Sequence, residues 1–170
     1  GWYWSRSPDV FWVNETSAAG NKAVGYATTD TLIRVTETLF EKNGGYLTND
    51  VIPPSGFLDN IPNFELGVIQ QVRDLARVIR NDYSRSQSQS REDADLATAE
   101  QKFFFDNISW ILPRTEAEYR EGIAGFKLYR DRLSGADVED AQFFARVDNL
   151  REWLAQVEKR LGSLSRRLGD

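Results

Sequence analysis

From Phe143 to Leu168 an apolar residue recurs at every third or fourth position: Phe143, Val147, Leu150, Leu154, Val157, Leu161, Leu164 and Leu168. The alternating spacing of four and three is a seven-residue repeat, and it predicts one long amphipathic helix presenting a seam. Arg146, Trp153, Arg160 and Arg167 flank one edge of that seam; Phe144, Arg151, Glu158 and Ser165 flank the other. In a parallel homodimer Arg146 would face Arg151 of the second chain, like charge against like, and Trp153 would sit uncovered at the rim. The seam is therefore expected to pack within the chain, against the earlier helices, with Phe144 and Trp153 widening the buried stripe. It nevertheless runs to Leu168 with no polar cap, so a partner protein, or more of the same chain, stays in view as its cover.

The rest of the chain repeats the helical period in shorter stretches. Leu32, Ile33, Val35, Leu39 and Phe40 form a stripe that opens near Thr29, a side chain able to cap a helix, and closes at Asn43-Gly44-Gly45. Residues 46–62 carry Pro53, Pro54, Gly56 and Pro62 and predict a loop. A second long helix is expected from Asn63, with Leu66, Ile69, Val72, Ala76, Ile79 and Tyr83 on one face. Ser84 to Arg91 (SRSQSQSR) is too polar to bury a core face, and reads as a connection or the polar end of that helix. A short helix over 93–103 leads into Phe103-Phe104-Phe105, which are read as core together with Trp110. Thr115 and Glu118 have capping-box spacing ahead of a helix through Tyr119, Ile123, Phe126, Tyr129 and Leu133 that Gly135 stops. Asp137 or Asp140 is expected to open the last helix. The fold class predicted is all-α: a helical bundle over 28–170 of four main helices and one short one, after an extended segment over 1–27.

Composition removes chemistry more than it adds any. The 170 residues include no cysteine and no histidine. That excludes thiolate nucleophiles, disulfides, Ser-His-Asp triads, imidazole bases and His- or Cys-ligated metals. Net charge −5 argues against a nucleic-acid binder. Arginine outnumbers lysine 16 to 5, an excess suited to bidentate structural pairing with carboxylates. No Gly-rich turn follows a strand pattern, so no phosphate-binding loop is expected, and no cofactor or metal is assigned. The densest acidic patch is Glu92, Asp93, Asp95 and Glu100. Asp93, Asp95 and Glu100 are the candidates for carboxylate acid–base hydrolysis, set against the simpler reading that they, like a second patch at Asp137, Glu139 and Asp140, favour a helix N-terminus. Asp93-Ala94-Asp95 lacks the glycine and distal glutamate of a calcium loop. An apolar ligand box built from Phe103–Phe105 and Trp110 is a further alternative.

The opening residues are unusual. Trp2, Tyr3 and Trp4 followed by Arg6 have the composition found where a membrane helix leaves the hydrocarbon, and equally could fold back on the core. A chain starting on Gly1 is expected to have lost an upstream piece.

Several blocks carry a family likeness: Val24-Gly25-Tyr26-Ala27-Thr28-Thr29 running into Leu32-Ile33-Arg34-Val35, Gly44-Gly45-Tyr46-Leu47 with Asn49-Asp50-Val51, Ser84 to Ser90 (SRSQSQS), Arg146 to Leu150 (RVDNL) and Arg160 to Ser165 (RLGSLS). Over most of its length the chain resembles a proteobacterial family filed as domain of unknown function 2333. The resemblance implies a single-pass inner-membrane protein with a periplasmic helical region. It would place Trp2, Tyr3 and Trp4 just outside a removed membrane helix and make Leu168 an internal position. It brings no catalytic residues. The function expected is thus non-enzymatic protein contact through Leu161, Leu164 and Leu168, with an unknown protein or the rest of the chain as partner.

Overall fold

In the computed structural model, the described residues are 8–16, 20, 22–49, 60–86, 91–109, 114–135 and 141–169. They form α1 (Tyr26–Glu41), α2 (Asn60–Val78) continued by a π-helical turn (Ile79–Tyr83), α3 (Ala94–Phe103), α4 (Thr115–Ser134) and α5 (Val147–Gly169), with no strand among them. The all-α class and the count of four long helices and one short one stand as read from the sequence.

Helices α1 to α4 close a ring: α1 touches α2 and α4, and α3 touches the same two. Each supplies one apolar stripe. Leu32, Ile33 and Leu39 come from α1, Ile69, Val72 and Ala76 from α2, Leu96, Ala99 and Phe103 from α3, and Tyr119, Ile123, Phe126 and Tyr129 from α4. Helices α3 and α4 approach most closely, because glycines stand where they cross. A Cβ on Gly122 would lie 2.6 Å from the Phe103 ring, and one on Gly125 would lie 3.0 Å from the carbonyl oxygen of Asp95. Phe103 then stacks on Phe126 at 5.5 Å and meets Tyr119 edge-on at 6.4 Å, offset geometries that aromatic quadrupoles favour.

The ends depart from the sequence reading by a few residues, each for a local reason. Gly25, at φ +85°, turns the chain into α1, so the helix starts three residues ahead of Thr29; the Thr29 hydroxyl donates back to the Gly25 carbonyl instead. Helix α2 starts at Asn60, earlier than Asn63. Thr115 and Glu118 form no capping box. The Thr115 hydroxyl donates to the carbonyls of Asp106 and Ser109 in the preceding loop, and Arg114 precedes the helix without a side-chain cap. Asp93 does cap α3, accepting from the N–H groups of Asp95 and Leu96. Helix α5 opens at Val147, after a non-helical stretch over 141–146; Asp137 and Asp140 lie outside the described residues, as do Trp110 and Gln87 to Ser90.

The approach segment is non-helical over 8–16 and touches α1 through Arg34, which donates to the Trp12 carbonyl and lies 4.5 Å from the Phe11 ring centroid. Trp2, Tyr3 and Trp4 lie outside the described residues.

Candidate interaction surface

The seam of α5 does not pack into the ring of four helices, which corrects the expectation of a buried stripe. Val147 is 73% exposed, Leu150 48%, Leu154 54%, Leu161 58% and Leu164 43%. The chain is attached just ahead of the helix, at Phe143 and Phe144, and then along the helix edge that carries Asn149, Trp153 and Arg160. Phe143 stacks on Tyr83 with centroids 4.7 Å apart, and the Phe144 N–H donates to the Tyr83 carbonyl at 2.6 Å. The Asn149 side chain donates to the Asp82 carbonyl at 2.7 Å. Trp153 packs half-buried on the core, as the sequence suggested, and Arg160 pairs with Asp74 of α2.

Local backbone geometry explains why this edge docks. The π-helical turn closes with the Ser84 N–H on the carbonyl of Ile79, five residues back. Carbonyls at a helix C-terminus lack intrahelical donors, and those of Asp82 and Tyr83 are taken by Asn149 and Phe144. The heptad repeat thus fixes the period of α5, and the carbonyls of α2 fix which edge turns inward. Between α2 and α5 runs an open groove of about 440 Å³ lined by Gln70, Asp74, Arg77, Gln156, Lys159, Arg160, Ser163, Leu164 and Arg167. The side chain of Leu168 lies outside the described residues, although its backbone continues α5.

The acidic candidates are bound to arginines. Arg132 bridges Asp93 and Asp95 at 2.8 and 2.7 Å, which ties the start of α3 to the end of α4. Glu100 is buried and pairs with Arg77 and Arg80, and Arg80 also holds Glu92. The hydrogen bond from Arg80 keeps the Glu92 carboxyl below its usual range. Charge-paired carboxylates at a helix start stabilise the fold electrostatically; acid–base hydrolysis calls for two carboxylates held in opposition with one of them protonated. No group of three or more Asp or Glu side chains that could hold a metal occurs among the described residues. Phe103 is core, while Phe104 is half exposed, its ring within 5.5 Å of the guanidinium of Arg73 and 4.6 Å of that of Arg77.

One charged cluster escaped the sequence reading altogether. Glu65 of α2 is fully buried, and its carboxylate lies 2.6 Å from the Lys42 ammonium, itself 1% exposed. The same carboxylate accepts from the N–H groups of Leu47 and Thr48 and from the Thr48 hydroxyl. Lys42 also donates to the Gly45 carbonyl. Nearby, Tyr46 donates to the Asn107 carbonyl at 3.0 Å, and Asn49 bridges the Ser109 carbonyl and Glu116. Burial pushes the Tyr46 hydroxyl far above its ordinary range. The whole cluster pins the turn after α1 to α2 and to the loop before α4. A signal was available: Glu65 falls in helical phase with Ile61, Ile69, Val72 and Ala76, on the face that is otherwise core.

The family of bacterial proteins described as "Uncharacterized protein conserved in bacteria (DUF2333)" matches residues 1–170, and the chain belongs to it. No curated protein and no solved structure matches.

Proposed function

We propose that this member of DUF2333 works by protein contact, presenting the open seam of α5 as a docking face. The observation that carries the reading is the exposure of five large apolar side chains at coiled-coil spacing on one helix. A soluble helix normally turns such a stripe toward its own core. Here the backbone carbonyls of α2 direct the adjacent edge inward and leave Leu161 and Leu164 outside.

The proposal includes the placement that the family resemblance implies: an extracytoplasmic domain on the periplasmic side of a bacterial inner membrane, with Trp2, Tyr3 and Trp4 next to the lipid. Among the described residues no helix is long and apolar enough to cross a membrane. The anchor in this reading is a segment preceding Trp2.

The test replaces Leu161 and Leu164 together by Glu in the protein expressed in its own membranes, with a photo-activated cross-linking residue at position 154. Both side chains are about half exposed, so the helical circular dichroism should hold and thermal unfolding should stay within a few degrees of the parent. Cross-links from α5 to protein should disappear. Full retention of those cross-links in the charged variant would overturn the reading.

A further inference from the structure

We infer that the cover of the α5 seam is the α5 of a second copy of this chain, lying antiparallel to it. This inference rests on the contact reading above and names the partner.

The apolar positions are self-complementary about one point. Val147 and Leu164, Leu150 and Leu161, and Leu154 and Val157 each lie equally far from the midpoint between Ala155 and Gln156. A two-fold axis through that midpoint sets each seam residue against an apolar residue of the second copy, the alternation that antiparallel helix pairs use. All five exposed seam residues are covered in this one register.

Charge selects the same arrangement. The edge of α5 that carries Trp153 and Arg160 is already spent on the bundle. The opposite edge carries Arg151 and Glu158, both exposed and without an ion-pair partner among the described residues. They stand seven residues apart on one helix, about 10 Å along its axis, too far to bond each other. In the antiparallel register Arg151 meets Glu158 of the second copy, and the two-fold axis makes that pair twice. The parallel alternative instead opposes Arg146 to Arg151. The antiparallel register does bring Arg146 toward Arg167 of the second copy, but at the two ends of the seam, where solvent and salt screen like charges.

The experiment is sedimentation equilibrium on the 170-residue chain and on three variants, R151E, E158R and R151E/E158R. A concentration-dependent dimer is expected. Each single reversal turns two attractive pairs into two repulsive ones and should weaken the dimer about tenfold, while the double reversal should restore it. Both substituted side chains are on the exposed edge, so the monomer fold serves as its own control. Disulfide trapping supplies an independent reading, since the chain has no cysteine of its own. Mixed R151C and E158C chains should link to each other far faster than either links to itself.

A dimer whose double reversal stays as weak as the singles would overturn the antiparallel register. A chain that remains monomeric at every attainable concentration overturns self-association. In that case cross-links from position 154 to a different protein would leave the contact function standing, whereas no cross-links at all would remove both.

Discussion

Replacing Lys42 by Met tests whether the ion pair beneath the first turn carries the stability its burial implies. The ammonium sits 2.6 Å from Glu65, and both side chains are essentially inaccessible to water. Removing it leaves a buried carboxylate with three hydrogen-bond donors from Leu47 and Thr48 and no countercharge. Breaking a buried pair from one side costs about 3–5 kcal/mol, because the orphaned charge keeps its desolvation penalty. The three remaining donors place this site near the low end, about 3 kcal/mol. For a chain of this length that corresponds to a fall in Tm of roughly 6–12 °C. The assay is urea unfolding followed by far-ultraviolet circular dichroism, on K42M, E65L and the double variant. Removing both charges leaves no orphaned charge, and the donors of Leu47 and Thr48 lose their acceptor equally in E65L and in the double variant, so the double variant should lose less than the two singles together, with a coupling of about 2 kcal/mol or more. A K42M loss under about 1 kcal/mol, or simple additivity of the two singles, would refute the reasoning, because either result means that water or another cation already compensates Glu65.

Two further substitutions read the seat of α5. Gly25→Ala places a Cβ 2.2 Å from the Phe143 ring at a backbone φ of +85°, so both crowding and strain oppose it; a loss of about 2 kcal/mol is expected in the same unfolding assay, and a loss below half of that would contradict the close approach. Burial first, and the Glu152 carboxylate second, hold the Asp82 carboxyl above its ordinary range. The folded chain therefore keeps that proton to higher pH than the unfolded chain, and stability falls as pH rises from the usual aspartate range through the raised pKa, then levels. Asp82→Asn should abolish this fall, matching the parent in acid and exceeding it in Tm near neutrality; parallel Tm profiles for the two from about pH 3 to about pH 7 would refute the assignment.

Much of the architecture was legible because it follows from local periodicity. The stripes of α1, α2 and α4, the stop at Gly135 and the Asp93 start of α3 each depend on residues within one or two turns. The arginine excess was also legible as structural pairing: Arg77, Arg80, Arg130, Arg132 and Arg160 all reach carboxylates. What failed depended on groups distant in sequence. Thr115 found acceptors at Asp106 and Ser109 that its capping-box spacing cannot foresee. Glu65 sits on a core face of α2, and a charge there makes sense only with Lys42 beside it, 23 positions away in the sequence. The seam of α5 has the period its sequence predicts but not the predicted neighbour, since a heptad repeat states that a face needs cover without stating whose. The candidate surface was therefore readable residue by residue, and its exposure was not.

The hold of α2 on α5 has a consequence for how the molecule comes apart. Native proteins open in cooperative units whose opening energies track the contacts each unit shares with the rest. Helices α1 to α4 share a closed ring of buried aromatic and aliphatic side chains, whereas among the described residues α5 and the stretch ahead of it are held chiefly by the Phe143 ring on Tyr83, the bonds to the carbonyls of Asp82 and Tyr83, the half-buried indole of Trp153 and the contacts of Arg160 with Asp74 and Gln70. Its amides should therefore exchange with solvent through an opening that leaves α3 and α4 fully protected, which makes α5 a separable unit whose lifetime on the bundle is set by whatever covers its outer face.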